Sequence, residues 1–256
     1  MSGLGRRVLV TGGGAGIGRS FARRFVEAGD RVAICDAEAG AVAEVAAAHP
    51  GLIARRVDVR DEAGMDAFLS EVEKAWGGVD VVCANAGTGG PVGRIEELDY
   101  GAWQECVAVN LHGAFLTCRW AARVMRAQGA GLIVLTSSTS GQWGVPYRSP
   151  YVAAKWGIVG LTKTLAMELG PAGVRVNAIC PGAVEGARME RVLEGEARAG
   201  GKTVDEVRRF YAEGTSLRAW VTEDELADTV LFLASDAARK ISGQIIAIDG
   251  HTERMT

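Results

Sequence analysis

The chain has 256 residues, 48% of them hydrophobic and 23% charged, with a formal net charge of −3. That is enough apolar material for a sizeable single α/β core, and it gives no general attraction to nucleic acid or to an anionic membrane. No apolar run reaches the ~18 residues of a membrane helix or has the flanks of a signal peptide, and the five cysteines lack metal-ligand or disulfide spacing. The expectation is a cytoplasmic protein with reduced thiols.

Short β-branched runs alternate with longer helical patterns. "RRVLV" (6–10) reads as a first strand, followed by a glycine turn and a helix over 16–28. "RVAIC" (31–35) is a second strand and "AEAGAVAEVAAAH" a helix; "LIARRVDV" (52–59) is a third strand and "EAGMDAFLSEVEKAW" a helix. "VDVVCANAG" (79–87) is the fourth strand, and a long helical region spans 99–128. "GLIVLTSS" (131–138) is the fifth, followed by a helix over 150–169. "VRVNAIC" (174–180) is the sixth, "EDELADTVLFLAS" a helix, and "GQIIAID" (243–249) the last strand. Continuous apolar strands separated by amphipathic helices predict a parallel sheet covered on both faces. Right-handed crossovers make it one doubly wound Rossmann domain of seven strands. The charged, glycine-rich stretch 183–220 falls between strand and helix, as a helical substrate lid would.

Two motifs carry chemistry. "VLVTGGGAGIG" joins the first strand to a helix, with Gly12, Gly16 and Gly18 fitting T-G-x-x-x-G-x-G. Glycine there lets backbone approach a pyrophosphate, and the helix start offers free N–H groups. Asp36 closes the second strand, 18 residues after Gly18. An acid in that place can bind ribose hydroxyls and repel a 2′-phosphate, which predicts NAD rather than NADP; the alternative is a turn residue. Asp58, at the end of strand three, could accept from the adenine amino group or cap a helix. Asn85-Ala86-Gly87 ends strand four at the same crevice. The second motif is "SPYVAAK", which puts Tyr151 and Lys155 one helical turn apart on one face. Alone, such a pair is usually incidental.

Taken together, these motifs make the chain resemble the short-chain dehydrogenase/reductase family over essentially its whole length, through to "SGQIIAIDG". The resemblance implies that Tyr151 is the catalytic acid/base, Lys155 its partner, Ser138 a donor to the substrate oxygen, and Asn110 a structural and proton-relay residue. It implies cofactor contacts from Gly12, Gly14, Gly16, Ile17, Gly18, Asp36, Asp58, Val59, Asn85, Ala86, Gly87, Tyr151, Lys155, Pro181, Gly182 and Val184, and no metal. A free phenol titrates near ~10, and a cation within a few ångströms lowers it by about 1–3 units. That suits Tyr151 to accepting an alcohol proton. Substrate contacts are expected from Ser138, Trp143, Arg148 and Arg188; the arginines could clamp an anion, although the charged run around Arg188 also reads as a solvated face. Two positions depart from the family's usual pattern: Gly186 stands where many members have threonine, and Asp249-Gly250-His251 replaces D-G-G.

The expected activity is therefore NAD-dependent interconversion of a small polar secondary alcohol (a sugar, polyol or hydroxy acid) and its carbonyl. A β-ketoacyl reductase and a non-catalytic dinucleotide sensor are the alternatives. The resemblance also implies a homotetramer, with a small molecule as the substrate and neither nucleic acid nor membrane as a partner.

Overall fold

A computed structural model describes residues 5–252. Seven parallel strands form one sheet in the order β3-β2-β1-β4-β5-β6-β7. They are β1 (Arg7–Thr11), β2 (Arg31–Asp36), β3 (Ile53–Arg56), β4 (Val81–Ala84), β5 (Gly131–Thr136), β6 (Val174–Pro181) and β7 (Ile245–Ile248). The helices are α1 (Gly16–Glu27), α2 (Ala39–Ala48), α3 (Glu62–Trp76), α4 (Tyr100–Val107), α5 (Gly113–Gln128), α6 (Ser149–Leu169), α7 (Ala187–Gly200), α8 (Val204–Glu213) and α9 (Glu223–Leu233). The strand order reverses between β1 and β4, which opens a crevice at the carboxyl ends of the strands.

Strand side chains alternate between two cores. Leu9, Val82, Ile133, Leu135 and Val176 pack with α3, α5 and α6 residues such as Phe68, Ala121 and Ile158. Val8, Val10, Ile34, Val81 and Val134 pack on the other face with Phe21, Phe25, Leu226 and Val230 of α1 and α9. Because both faces are covered, the strand sequences are nearly all apolar rather than alternating.

β3, β4, β5 and β7 stop short of their expected runs at the crevice end, whereas β1, β2 and β6 each run one residue further, to Thr11, Asp36 and Pro181. β4 stops at Ala84 because the next two N–H groups, of Asn85 and Ala86, donate to Thr11 Oγ1 at 3.1 and 3.2 Å instead of to a neighbouring strand. β5 stops before Ser137 and Ser138, and β3 stops at Arg56, where Val57 N turns to the Asp36 carbonyl. β7 begins two residues later than its sequence run, after Gly243 at φ +70°.

The long helical region 99–128 is also broken. Between α4 and α5 lies a wide π turn, Ala108–His112, with Asn110 at its centre. Such turns free a side chain from the regular helical register and are common at functional sites.

The stretch 183–220 is helical, built on α7 and α8. Leu193, Ala197 and Val207 form its own small core, with Met189, Val204, Tyr211 and Trp220 packed around them. The solvated-face reading of α7 is thus half right. One face is charged and exposed, and the other is buried. The inner face is pinned beside the crevice, partly through the short bridge Val184–Val221.

Candidate active site

The crevice is built from glycine geometry outward. Gly12 and Gly16 have φ of +64° and +56°, values at which only glycine is unstrained. A Cβ on Gly12 would lie 2.8 Å from Ala86 Cα, and one on Gly18 would lie 2.0 Å from the Gly12 carbonyl oxygen. These contacts press the turn onto β4. Asn85 sews the layers together: its Nδ2 donates to the Thr11 and Gly12 carbonyls, and its Oδ1 accepts from Thr136 Oγ1 at 3.1 Å. α1 starts at this turn with Ala15 as its cap residue, no side-chain cap and no acid in its first turn. Its first N–H groups, that of Ile17 among them, therefore stay available for an anion. A backbone cradle without side chains, backed by uncapped N–H groups, fits the pyrophosphate of a dinucleotide.

Asp36 sits over the same turn. Its Oδ2 accepts from Gly14 N at 3.0 Å and its Oδ1 from Glu38 N at 3.1 Å. Arg56, beside it on β3, is a base that the local sequence did not flag. Its Nε donates to the Ala37 carbonyl. Asp58 is taken up by Arg60, which donates to it from its backbone N, Nε and Nη2; those bonds hold its carboxyl below the usual range. Val59 is buried against Gly113 at the start of α5. At the other side of the crevice, Gly182 packs on Asp249 so closely that a Cβ would meet Asp249 Cβ at 2.8 Å. Pro181 ends β6 in front of it, and Val184 leads into the lid. Gly186, in place of the family's frequent threonine, has φ +136° and caps α7. An L side chain would be strained in that conformation, so the glycine is a backbone requirement of this lid.

α6 carries Tyr151 and Lys155 into the crevice, as its one-turn spacing implies. Lys155 is 2% exposed, and its Nζ donates to the Thr136 carbonyl at 2.9 Å. It lies 5.5 Å from the centre of the Tyr151 ring. Burial alone would raise the Tyr151 pKa. The charges of Lys155, Arg188 and Arg148, with a hydrogen bond from Ser138, outweigh it and hold the phenol below its ordinary value. Burial likewise lowers Lys155, opposed by Tyr151. Ser138 lies just past β5, and its Oγ also accepts from Ser140 N at 3.1 Å. The neighbouring Ser137 points away, donating to the Lys155 carbonyl at 2.9 Å. Asn110 donates from Nδ2 to the Thr88 and Cys106 carbonyls. Its buried Oδ1 has no protein partner among the described residues. A Cβ on Gly87 would fall 2.7 Å from that oxygen and 3.5 Å from Lys155 Nζ, so both polar atoms face the space before Gly87.

The expected substrate residues divide. Arg188 is exposed on α7, with a charge that reaches Tyr151. Trp143 is largely exposed on the loop after β5. Arg148 is buried and already occupied: Nη1 pairs with Glu196 at 3.1 Å, Nη2 donates to the Gly89 carbonyl at 3.3 Å, and the guanidinium lies 4.5 Å from the Tyr151 ring centre. Sequence reasoning passed over Glu196. The signal was present, since Val192, Leu193 and Ala197 flank it at helical spacing on the buried face.

A family model described as enoyl-(acyl carrier protein) reductase matches residues 12–251. The chain belongs to the short-chain dehydrogenase/reductase family. It is 33% identical to a D-beta-hydroxybutyrate dehydrogenase of Rhizobium meliloti (strain 1021), covering 96% of this chain and 97% of that one. A solved NAD+-bound xylitol dehydrogenase superposes with a TM-score of 0.91 at 29% identity, over 97% and 100% of the two chains. An actinorhodin polyketide ketoreductase solved with NADPH gives 0.90 at 31% identity, over 96% of each chain. The family member is an oxidoreductase acting on a CH–OH group or its carbonyl.

Proposed function

We propose that the protein is an NAD-dependent dehydrogenase of a small polar secondary alcohol, with Tyr151 as acid/base. The observation that carries this is the buried Tyr151 phenol, with Lys155 Nζ 5.5 Å and the Arg148 guanidinium 4.5 Å from its ring centre, cations that favour the phenolate. A bound dinucleotide supplies the hydride acceptor. Tyr151 takes the hydroxyl proton of the substrate as the hydride departs, and Ser138 donates to the same oxygen. The nearby ammonium of Lys155 stabilises the phenolate. The proton taken up by Tyr151 then leaves by relay through Lys155, which gives up one proton as it receives another, to water held between its Nζ and Asn110 Oδ1, both of which face Gly87; this restores the phenolate. In reduction the same residues run in reverse.

Asp36 supports NAD. Its carboxylate sits on Gly14 N, beside the glycine cradle, where a 2′-phosphate would meet a negative charge. Arg56, the nearby base, is engaged with the Ala37 carbonyl. Arg188 favours a hydroxy acid within the substrate class, because an exposed guanidinium electrostatically coupled to Tyr151 can hold a carboxylate near the reacting carbon. A β-ketoacyl reductase is the second reading, favoured by the likeness to the NADPH-bound ketoreductase. The remaining expectations are a homotetramer, supported by exposed apolar residues on α5, α6 and α9, and a cytoplasmic location.

A panel of hydroxy acids, polyols and sugars, each with NAD+ and with NADP+, followed by absorbance of the reduced cofactor, tests the reading. Turnover with NAD+ on a hydroxy acid or polyol is expected. Preference for NADP(H), together with reduction of a β-ketoacyl thioester, would replace it with the second reading.

A further inference from the structure

Arg148 stands at the start of α6, three residues before the catalytic tyrosine, and its side chain is held from three directions. Nη1 pairs with Glu196 on α7, Nη2 donates to Gly89 on the loop after β4, and the plane lies over the Tyr151 ring. The ion pair is largely buried, with side chains 6% and 12% exposed. Glu196 is fixed in turn by Tyr211 of α8, whose hydroxyl donates to Oε1 and Oε2 at 3.0 and 2.9 Å. Burial and that carboxylate keep the Tyr211 hydroxyl protonated and donating. A chain of contacts thus runs from one lid helix through the other to the reacting side chain. The other Arg148 contact, the Gly89 carbonyl, is a neutral acceptor at 3.3 Å. The only carboxylate on the guanidinium among the described residues comes from the lid.

We propose that Glu196 is a positioning residue: by pairing with Arg148 it seats the guanidinium on the Tyr151 ring, so that a closed lid completes the catalytic tyrosine's surroundings. Without Glu196, the buried guanidinium loses its charged partner and turns toward water. The lid then does more than cover the substrate. It fixes a cation at the start of α6 against the acid/base. The charged groups acting on Tyr151 are Lys155 and Arg148 on α6 and Arg188 on α7, with Tyr211 of α8 facing the same group.

The proposal rests on Tyr151 being the acid/base, and its test separates the two ideas. Full-length protein is labelled with ¹³C at tyrosine Cζ; there are four tyrosines, and Tyr151→Phe assigns the resonance. Titration of that resonance with pH needs no substrate. In the unmodified protein a midpoint below the ordinary phenol value supports the acid/base reading, and one at or above ~10 sinks it.

Glu196→Gln should raise the midpoint by about one unit, as expected when one nearby cation departs. Deleting a negative charge while Arg148 stays seated would instead lower the midpoint or leave it unmoved, and either result overturns the proposal. Glu196→Asp should restore part of the shift. In an Arg148→Met background, Glu196→Gln should add nothing, and a further shift would show that Glu196 acts by another route. Should Glu196→Gln fail to fold, Tyr211→Phe loosens the same carboxylate. A smaller rise is then expected, and an unmoved midpoint overturns the proposal.

Discussion

If Tyr151 is the acid/base, as proposed, its removal should separate binding from chemistry. Tyr151→Phe keeps the ring that packs against Arg148 and deletes the hydroxyl. Turnover should fall by on the order of 10²–10⁴ or more, the usual contribution of a positioned acid/base, while NADH binding read by fluorescence stays unchanged. Turnover like that of the unmodified enzyme would overturn the mechanism. The sign of the pH dependence follows from the lowered phenol: oxidation needs phenolate, so its rate should rise with pH through a midpoint below the ordinary phenol value. Gly18 makes the complementary case at the cofactor end. Gly18→Ala would set a Cβ 2.0 Å from the Gly12 carbonyl oxygen and 2.6 Å from Asn85 Nδ2. Neither atom can retreat without opening the turn. Lost NADH fluorescence enhancement with the far-UV spectrum retained is expected, and unimpaired binding would show that the cradle tolerates movement.

At the level of elements, the sheet and its order of helices were readable because covered parallel strands leave continuous apolar runs. Their ends were not, because Asn85, Ala86 and Ser138 follow the apolar runs without a turn signal, and only contacts across the fold, such as Asn85 N and Ala86 N on Thr11 Oγ1, turn them into the crevice. The glycine turn, Asp36, Tyr151 and Lys155 were legible as motifs whose spacing carries their geometry. Helical spacing signalled that Glu196 is buried but not what it does; its role, like those of Tyr211 and the Thr136 carbonyl, depends on which residues meet across the fold. The π turn at Asn110 was hidden too: "VAVNLHG" satisfies a helical pattern whether or not one turn is widened. The lid illustrates a further consequence. Its core of Leu193, Ala197 and Val207 is separate from the two that sandwich the sheet. Leu193→Ala deletes a fully buried side chain, a change that costs about 2–5 kcal/mol where it is felt. Because the cluster is local, the cost should fall on lid opening rather than on global unfolding. Limited proteolysis should cut within 183–220 faster, with the melting temperature nearly unmoved. A large drop in melting temperature without faster cleavage would show that the lid unfolds only with the sheet.

Across the whole molecule, the unexplained surface lies away from the crevice. Trp156 and Met167 are exposed on α6, eleven residues apart and hence on one face, and Phe115 is exposed on the adjoining α5. Phe232 is exposed on α9, the helix preceding the last strand. Isolated apolar residues on a surface need no explanation, but tryptophan, phenylalanine and methionine exposed on two neighbouring helices are side chains that contact with another copy would cover. A homotetramer covers two such faces through two different two-fold axes, and closed symmetry leaves none exposed. Sedimentation should therefore give about four times the 26.9 kDa chain mass at micromolar concentration. Trp156→Glu together with Phe115→Glu should halve that assembly by removing one axis, leaving the Phe232 contact to hold dimers. The cofactor cradle and Tyr151 are built within one chain, so the dimers should still bind NADH. A monomer in the unmodified protein would refute the tetramer, and an intact tetramer in the double variant would move the interface to another face.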